Sequence, residues 1–416
     1  MASQTKTKAE SLLQLLPLEV KQNIMLNLDI SSLYALFTTC RHFYNIYKSD
    51  GGIIIREITT NALGDFLPSA IALYAARRAE WVTELHVYSP SQLVDRIHRF
   101  GRKYLDRNNR PSLDRQDFSL SLAEELISFH STVEKFALQF MEESLSEMFL
   151  NPRGRPIPKP TSTEISRVQL TFYCMEISRE LLPYKISSGS DSDSEDSEHE
   201  MDDERPWEML WHYFTPWENR IAESITKFLD KFIDGVVTQV IDGIVTQGPI
   251  ELIERGTMVT GHWYILMGLQ GVEGLADGSF DLEFISRIAA DKRIDWSPLR
   301  HISYFSHAMS GFTWLRPAGG SLRVRSLNMD HLLARFPQEE NGACDNWYFT
   351  IISEQHNPEA YLSLLSGILW WDRDRTNAQY PGVLPSTAEI QDMAEGKEYI
   401  GREFVPEVDY CKEIGY

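Results

Sequence analysis

The chain has 416 residues and a formal net charge of −20 at pH 7. That surplus of carboxylates excludes general affinity for nucleic-acid backbones or anionic membranes, since both need basic surface. The apolar content of 43% is that of an ordinary globular protein, and Cys40, Cys174, Cys344 and Cys411 fit neither a disulfide framework nor zinc-ligand spacing.

The length predicts roughly two or three domains. The opening "MASQTKTKAESLLQLL" lacks the apolar stretch of a secretory signal. No apolar run approaches the ~20 residues of a membrane span. These features lead us to expect a soluble intracellular protein, of cytoplasm or nucleus, with reduced thiols.

In chain order, the first fifty residues read as three short helices. The first starts at Pro17, whose missing N–H has no helical partner there anyway. Val20, Ile24 and Leu28 then recur at i, i+4 and i+8. Asp29, Ser31 and Ser32 supply cap candidates for a second helix carrying Leu33, Leu36 and Phe37. A third begins at Cys40, with Phe43, Tyr44 and Tyr47 on one side. Three helices of this length cannot bury a self-sufficient core. Leu15 and Leu16 lie outside the first helix, so apolar surface is left over for docking on the rest of the chain or on another protein.

Further on, the pattern is mostly helical. In "SPSQLVDRIHRFGRKYL", Ser89 caps and Pro90 opens a helix with Leu93, Ile97, Phe100 and Tyr104 on one face. Residues 122–140 present Leu122, Leu126, Phe129, Val133, Phe136 and Phe140 at three- and four-residue steps. "NPRGRPIPKPTS", 151–162, is a break. Thr215, Pro216 and Glu218 form a capping box with proline inside it, ahead of a face of Ile221, Ile225, Phe228 and Phe232. "PEAYLSLLSGILWW", 358–371, is a further helical run. Strand-like alternation is confined to 52–58, 82–88 and 321–327, and no 20–50-residue repeat occurs.

One segment departs from globular composition. From Asp191 to Glu204 there are nine acidic residues, no Lys or Arg, and one apolar residue, Met201. Such a stretch cannot bury enough surface to offset the entropy of ordering. It predicts a disordered acidic linker over 187–205. Ser188, Ser190, Ser192 and Ser197 each have an acidic residue three positions on, the pattern of acid-directed kinases. A plain solubilising spacer accounts for the run equally well.

The segment "LPLEVKQNIMLNLDISSLYALFTTCRHFYNIY" resembles an F-box. That motif opens on Leu-Pro-x-Glu, continues with aliphatics, has a polar break and a leucine-bearing second helix, and then Cys-Arg followed by aromatics. Leu16, Pro17, Glu19, Ile24, Leu28, Leu33, Leu36, Cys40, Arg41 and Phe43 fall on the matching positions. The resemblance implies docking on a Skp-family adaptor and through it on a cullin. The remainder of the chain then holds a protein substrate for ubiquitination, and the chain itself is non-catalytic. The alternative is a helical scaffold or regulatory protein with no ligase role, its first helices packed on those that follow.

No catalytic motif stands beside this one. There is no G-x-S-x-G, P-loop, H-E-x-x-H or EF-hand loop. "GLQGVEG", 268–274, spaces its glycines wrongly for a dinucleotide fold, and His301 and His307 do not stack on one helix face for a metal. In "WWDRDR", Asp372 and Asp374 could hold a divalent cation, but the alternating arginines favour a salt-bridged helix end. Nine of the ten tryptophans lie in 207–416. Trp207, Trp211 and Trp217 are candidates either for core or for a substrate groove.

The expected architecture is therefore mainly α. It comprises an F-box-like three-helix unit over 10–50, a helical region over 51–186, the acidic linker over 187–205, and a helical, substrate-binding region over 206–416. No cofactor and no metal is expected.

Overall fold

A computed structural model describes residues 12–79, 90–107, 118–146, 158–181, 210, 213–245, 262–278, 342–343, 346 and 369–379. The described residues are mainly helical and contain no strand. A single turn, α1 (Leu12–Leu15), precedes α2 (Leu18–Leu26), α3 (Ile30–Thr39) and α4 (Arg41–Leu63). After a 3-10 turn at Gly64–Phe66 come α5 (Leu67–Arg77), α6 (Pro90–Phe100) and α7 (Leu120–Ser146). The remaining helices are α8 (Ser162–Leu181), α9 (Pro216–Val245), α10 (His262–Ala276) and α11 (Arg373–Gln379).

Local chemistry explains the helix starts. Asp29 caps α3 by accepting from the Ser32 N–H at 2.7 Å, as its position in the sequence predicts. The Ser32 hydrogen bonds hold the Asp29 carboxyl below its ordinary range. The capping box at α9 also forms. The Thr215 N–H donates to Glu218 Oε2 at 2.7 Å, and the Glu218 N–H donates to Thr215 Oγ1 at 3.1 Å. A second box, at α8, joins Thr161 and Glu164 by reciprocal bonds of 2.9 and 3.2 Å.

The apolar faces expected on α7 and α9 meet each other. All six predicted α7 residues are buried, as are Ile221, Ile225 and Phe228. Phe136 packs edge-on against Phe232, and Phe140 against Phe228, each at 5.6 Å between ring centres. Helix α8 is the centre of the structure, with α5, α7, α9 and α10 packed around it. It buries Val168, Phe172, Tyr173, Met175 and Ile177, but also Glu164, Arg167, Gln169, Thr171, Glu176 and Ser178.

Three expectations change. Residues 52–58 are not a strand: α4 continues through them to Leu63 and buries Ile54, Ile55 and Ile58. Those spacings suit one side of a helix, and tertiary burial overrides the β preference of a β-branched run. The boundary drawn between 50 and 51 consequently lies inside a continuous helix. Of the helical run 358–371, residues 358–368 lie outside the described residues; Leu369 and Trp370 form a turn and Trp371 a bend ahead of α11. The predicted helix 89–105 ends at Phe100 and passes into a π-helical turn, Gly101–Leu105. There the Tyr213 ring lies so close that a Cβ on Gly101 would sit 2.2 Å from Tyr213 Cε2.

Residues 82–88, 187–205, 301–307 and 321–327 lie outside the described residues, as do Trp207, Trp211, Ser188, Ser190, Ser192 and Ser197. Trp217 is 3% exposed and belongs to the core.

Candidate functional site

Two places concentrate chemistry: the surface of the first three full helices, and a buried polar cluster at the start of α8.

In the first, α4 runs against both α2 and α3. Phe37 stacks on Tyr47 at 4.2 Å between ring centres. The Gln22 amide donates to Asp50 at 3.0 Å, and Lys21 Nζ lies 2.8 Å from His42 Nε2. The inward face of α2 is Lys21 and Met25, not the Val20–Ile24–Leu28 stripe read from the sequence. Val20 is exposed, and Ile24 and Leu28 are half-buried. A lysine whose head reaches a side-chain acceptor and whose stem packs inward takes the inward face from Val20 and Ile24, while Leu28, beyond the end of α2, still packs against the core.

The residues that carry the F-box resemblance therefore separate into two groups. Leu33 and Phe43 are buried and hold the unit together from inside. Leu16, Ile24, Leu28, Leu36 and Cys40 are half-buried, and Pro17, Glu19 and Arg41 are exposed. Beside them lie large apolar side chains that the motif does not single out. Leu15 is 64% exposed, Leu18 49%, Tyr34 58%, Tyr44 48% and Ile53 43%. Among the described residues the exposed large hydrophobics all fall between Leu13 and Ile53, except for Leu138. Scattered exposed apolar residues are ordinary on a protein surface, but their concentration on one small unit is not. Leu18 and Tyr34 could have been found from the sequence only once Lys21, Met25 and Leu33 were known to face inward.

The second place is "WWDRDR". Arg375 forks onto Glu164, with Nε donating to Oε1 at 2.7 Å and Nη2 to Oε2 at 2.8 Å. The same guanidinium donates to the carbonyls of Pro158 and Lys159, both at 2.7 Å. Arg167 donates to the Trp370 carbonyl at 2.6 Å and to Asp372 at 3.3 Å. Thr161 Oγ1 donates to Asp372 Oδ2 at 2.5 Å, and the Asp372 N–H donates to Glu164 Oε1 at 2.8 Å. Asn346 donates to the Trp371 carbonyl at 2.8 Å. Asp372 thus serves the salt-bridged helix end expected of this stretch, and Asp374 is exposed. Among the described residues no group of three or more His, Cys, Asp or Glu side chains is arranged to hold a metal ion.

Glu176 makes a comparable buried contact. It accepts from the Leu269 N–H at 2.8 Å and pairs with Arg179 at 3.2 Å. Leu269 follows a kink in α10 at Gly268, whose φ of 67° suits glycine. "GLQGVEG" is therefore a re-started helix capped by a glutamate. Arg107 in turn pairs with the buried Glu218. Helix-start glutamates matched by distant arginines thus recur, and each has a structural role.

A small cleft of about 30 Å³ lies between α5, α8 and the π turn, with Pro68, Tyr104, Cys174 and Tyr213 in its wall. That is room for a water molecule, not for a substrate. No helix among the described residues is long and apolar enough to cross a membrane. Comparison of the chain with protein-family models, curated proteins and solved structures finds no match.

Proposed function

We propose that residues 10–50 dock on a Skp-family adaptor, and through it on a cullin, while the rest of the chain holds a protein substrate for ubiquitination. On this reading the protein is a non-catalytic subunit of the ligase and works inside the cell. The observation that carries it is the outward-facing Leu15, Leu18, Tyr34 and Tyr44 on the unit whose sequence resembles an F-box. Apolar and aromatic anchors of this kind supply most of the energy of an interface. The inward-facing Leu33 and Phe43 leave the unit ordered before it binds, which lowers the cost of association.

The test is calorimetric titration of the full chain with a Skp-family adaptor. The double change Leu16→Ala, Pro17→Ala removes anchor area at a half-buried and an exposed position. We expect it to weaken binding by on the order of 2 kcal/mol while the melting temperature stays within a few degrees. An absence of binding by the wild-type chain refutes the proposal and leaves the helical scaffold.

A further inference from the structure

We infer that Thr161 is a phosphorylation site for an acid-directed protein kinase, and that its phosphate releases residues 369–379 from α8. The inference is independent of the ligase reading. Thr161 stands in a non-helical stretch, 158–161, and is exposed. Its sequence, Thr161-Ser-Thr-Glu164, has the acidic residue three positions on that such kinases read. Thr215-Pro-Trp-Glu218 has the same spacing, but Thr215 is 0% exposed. Of the threonines with this spacing among the described residues, Thr161 thus lies at the surface and Thr215 is hidden.

The hydroxyl of Thr161 is a joint of the contact with 369–379. It donates to Asp372 Oδ2 at 2.5 Å and accepts from the Glu164 N–H at 3.2 Å. Transfer of the γ-phosphoryl group of ATP forms an Oγ–P bond, breaks the bond between that phosphorus and the ADP oxygen, and sends the hydroxyl proton to the kinase's base. ADP leaves. The ester oxygen has no proton, so the bond to Asp372 is lost, and acceptor-only phosphate oxygens face the carboxylates of Asp372 and Glu164. The nearby arginines are already engaged. Arg375 is committed to Glu164 and to the carbonyls of Pro158 and Lys159, and Arg167 to the Trp370 carbonyl and Asp372. Repulsion therefore prevails at this position, although a phosphate at an isolated helix start would be favourable.

Because the hydroxyl is bonded to Asp372 in the closed form, the kinase acts when 369–379 has opened, and the phosphate then prevents its return. The population moves toward the open form by mass action. Opening uncovers Trp370 and Trp371, both fully buried when closed.

The experiment uses the full chain, an acid-directed kinase with magnesium and ATP, phosphosite mapping, and amide exchange over 369–379. Thr161→Asn and Thr161→Asp are both good helix caps and differ by one charge. We expect phosphate on Thr161 and none on Thr215. Exchange over 369–379 should rise at least about tenfold in the phosphorylated chain. The rise should recur in part in Thr161→Asp and be absent from kinase-treated Thr161→Asn. A chain left unmodified at Thr161, whether or not the serines of 187–205 are modified, overturns the proposal. Equal exchange in Thr161→Asp and Thr161→Asn overturns the release step.

Discussion

Replacing Arg375 with methionine keeps the unbranched apolar stem of the side chain and deletes the guanidinium head with its charge. The side chain is 4% exposed and its partner Glu164 is 0% exposed, so solvent cannot stand in for the lost donors at the carboxylate. Removing one member of a buried ion pair costs about 3–5 kcal/mol, because the other charge stays buried and unmatched. Here Glu164 retains two backbone donors, the Thr161 N–H at 2.9 Å and the Asp372 N–H at 2.8 Å. The carbonyls of Pro158 and Lys159 also lose a donor, but both residues are exposed and water can replace it. The expected loss is therefore at the lower end, about 3 kcal/mol. Glu164→Gln keeps the capping box, since glutamine serves at that position as well as glutamate, and removes the opposite charge. Combined with Arg375→Met it should recover at least about 1 kcal/mol relative to the sum of the single changes. Urea unfolding followed by tryptophan emission reads this cycle, and Trp370 and Trp371 report on the region directly. A loss below about 1 kcal/mol for Arg375→Met, or strict additivity of the pair, would refute the view that this contact fastens 369–379 to α8.

Met25 is fully buried and Ile24 half-buried. Met25→Ala should cost about 2–5 kcal/mol and Ile24→Ala clearly less, read by amide exchange over α2–α4. Burial pushes the His130 imidazole below its ordinary range, and the carboxylate of Glu134, 3.7 Å away, offsets this only in part. The unfolded chain takes up that proton near pH 6.5, so it binds more protons than the folded chain just below this value. Stability should fall as pH drops from about 6.5 toward the lower folded value, and His130→Gln should flatten that limb of a urea-midpoint profile; parallel profiles would count against it. Deletion of 187–205 should leave the melting temperature within a few degrees, because nine carboxylates and one apolar residue between 191 and 204 can contribute little to a core.

Legibility in the sequence followed the environment of each helix. Helices α7 and α9 each turn one side to the core, so their apolar residues recur at helical spacing and the faces could be read directly. Helix α8 is covered on several sides, and its buried Glu164, Arg167, Thr171 and Glu176 interrupt any stripe. Its polar residues are matched by partners such as Arg375, 211 positions away, that no local pattern reveals. The caps at Asp29 and Thr215 were legible because a cap is a local event within three residues. The inward face of α2 was not, because a buried lysine reads as surface until His42 is placed beside it.

Helix α4 links the two halves of the proposed function. It is 23 residues long, about 34 Å. Its first half carries Phe43, Ile46 and Tyr47, in the unit with α2 and α3, and its second half buries Ile54, Ile55 and Ile58. The same helix packs on α5 and α7, and α3 also touches α7. Gly51 and Gly52 stand between the halves, and each is about 1 kcal/mol less favourable in a helix than alanine. A bend there would have to break main-chain hydrogen bonds and uncover isoleucines, each worth roughly 1.5–3 kcal/mol when fully buried. The burial outweighs the glycines, so the helix stays continuous. An adaptor seated on Leu15, Leu18, Tyr34 and Tyr44 would then meet the rest of the chain at an angle set by packing. On the proposed reading, the distance between adaptor and substrate is a property of the fold and not of a tether.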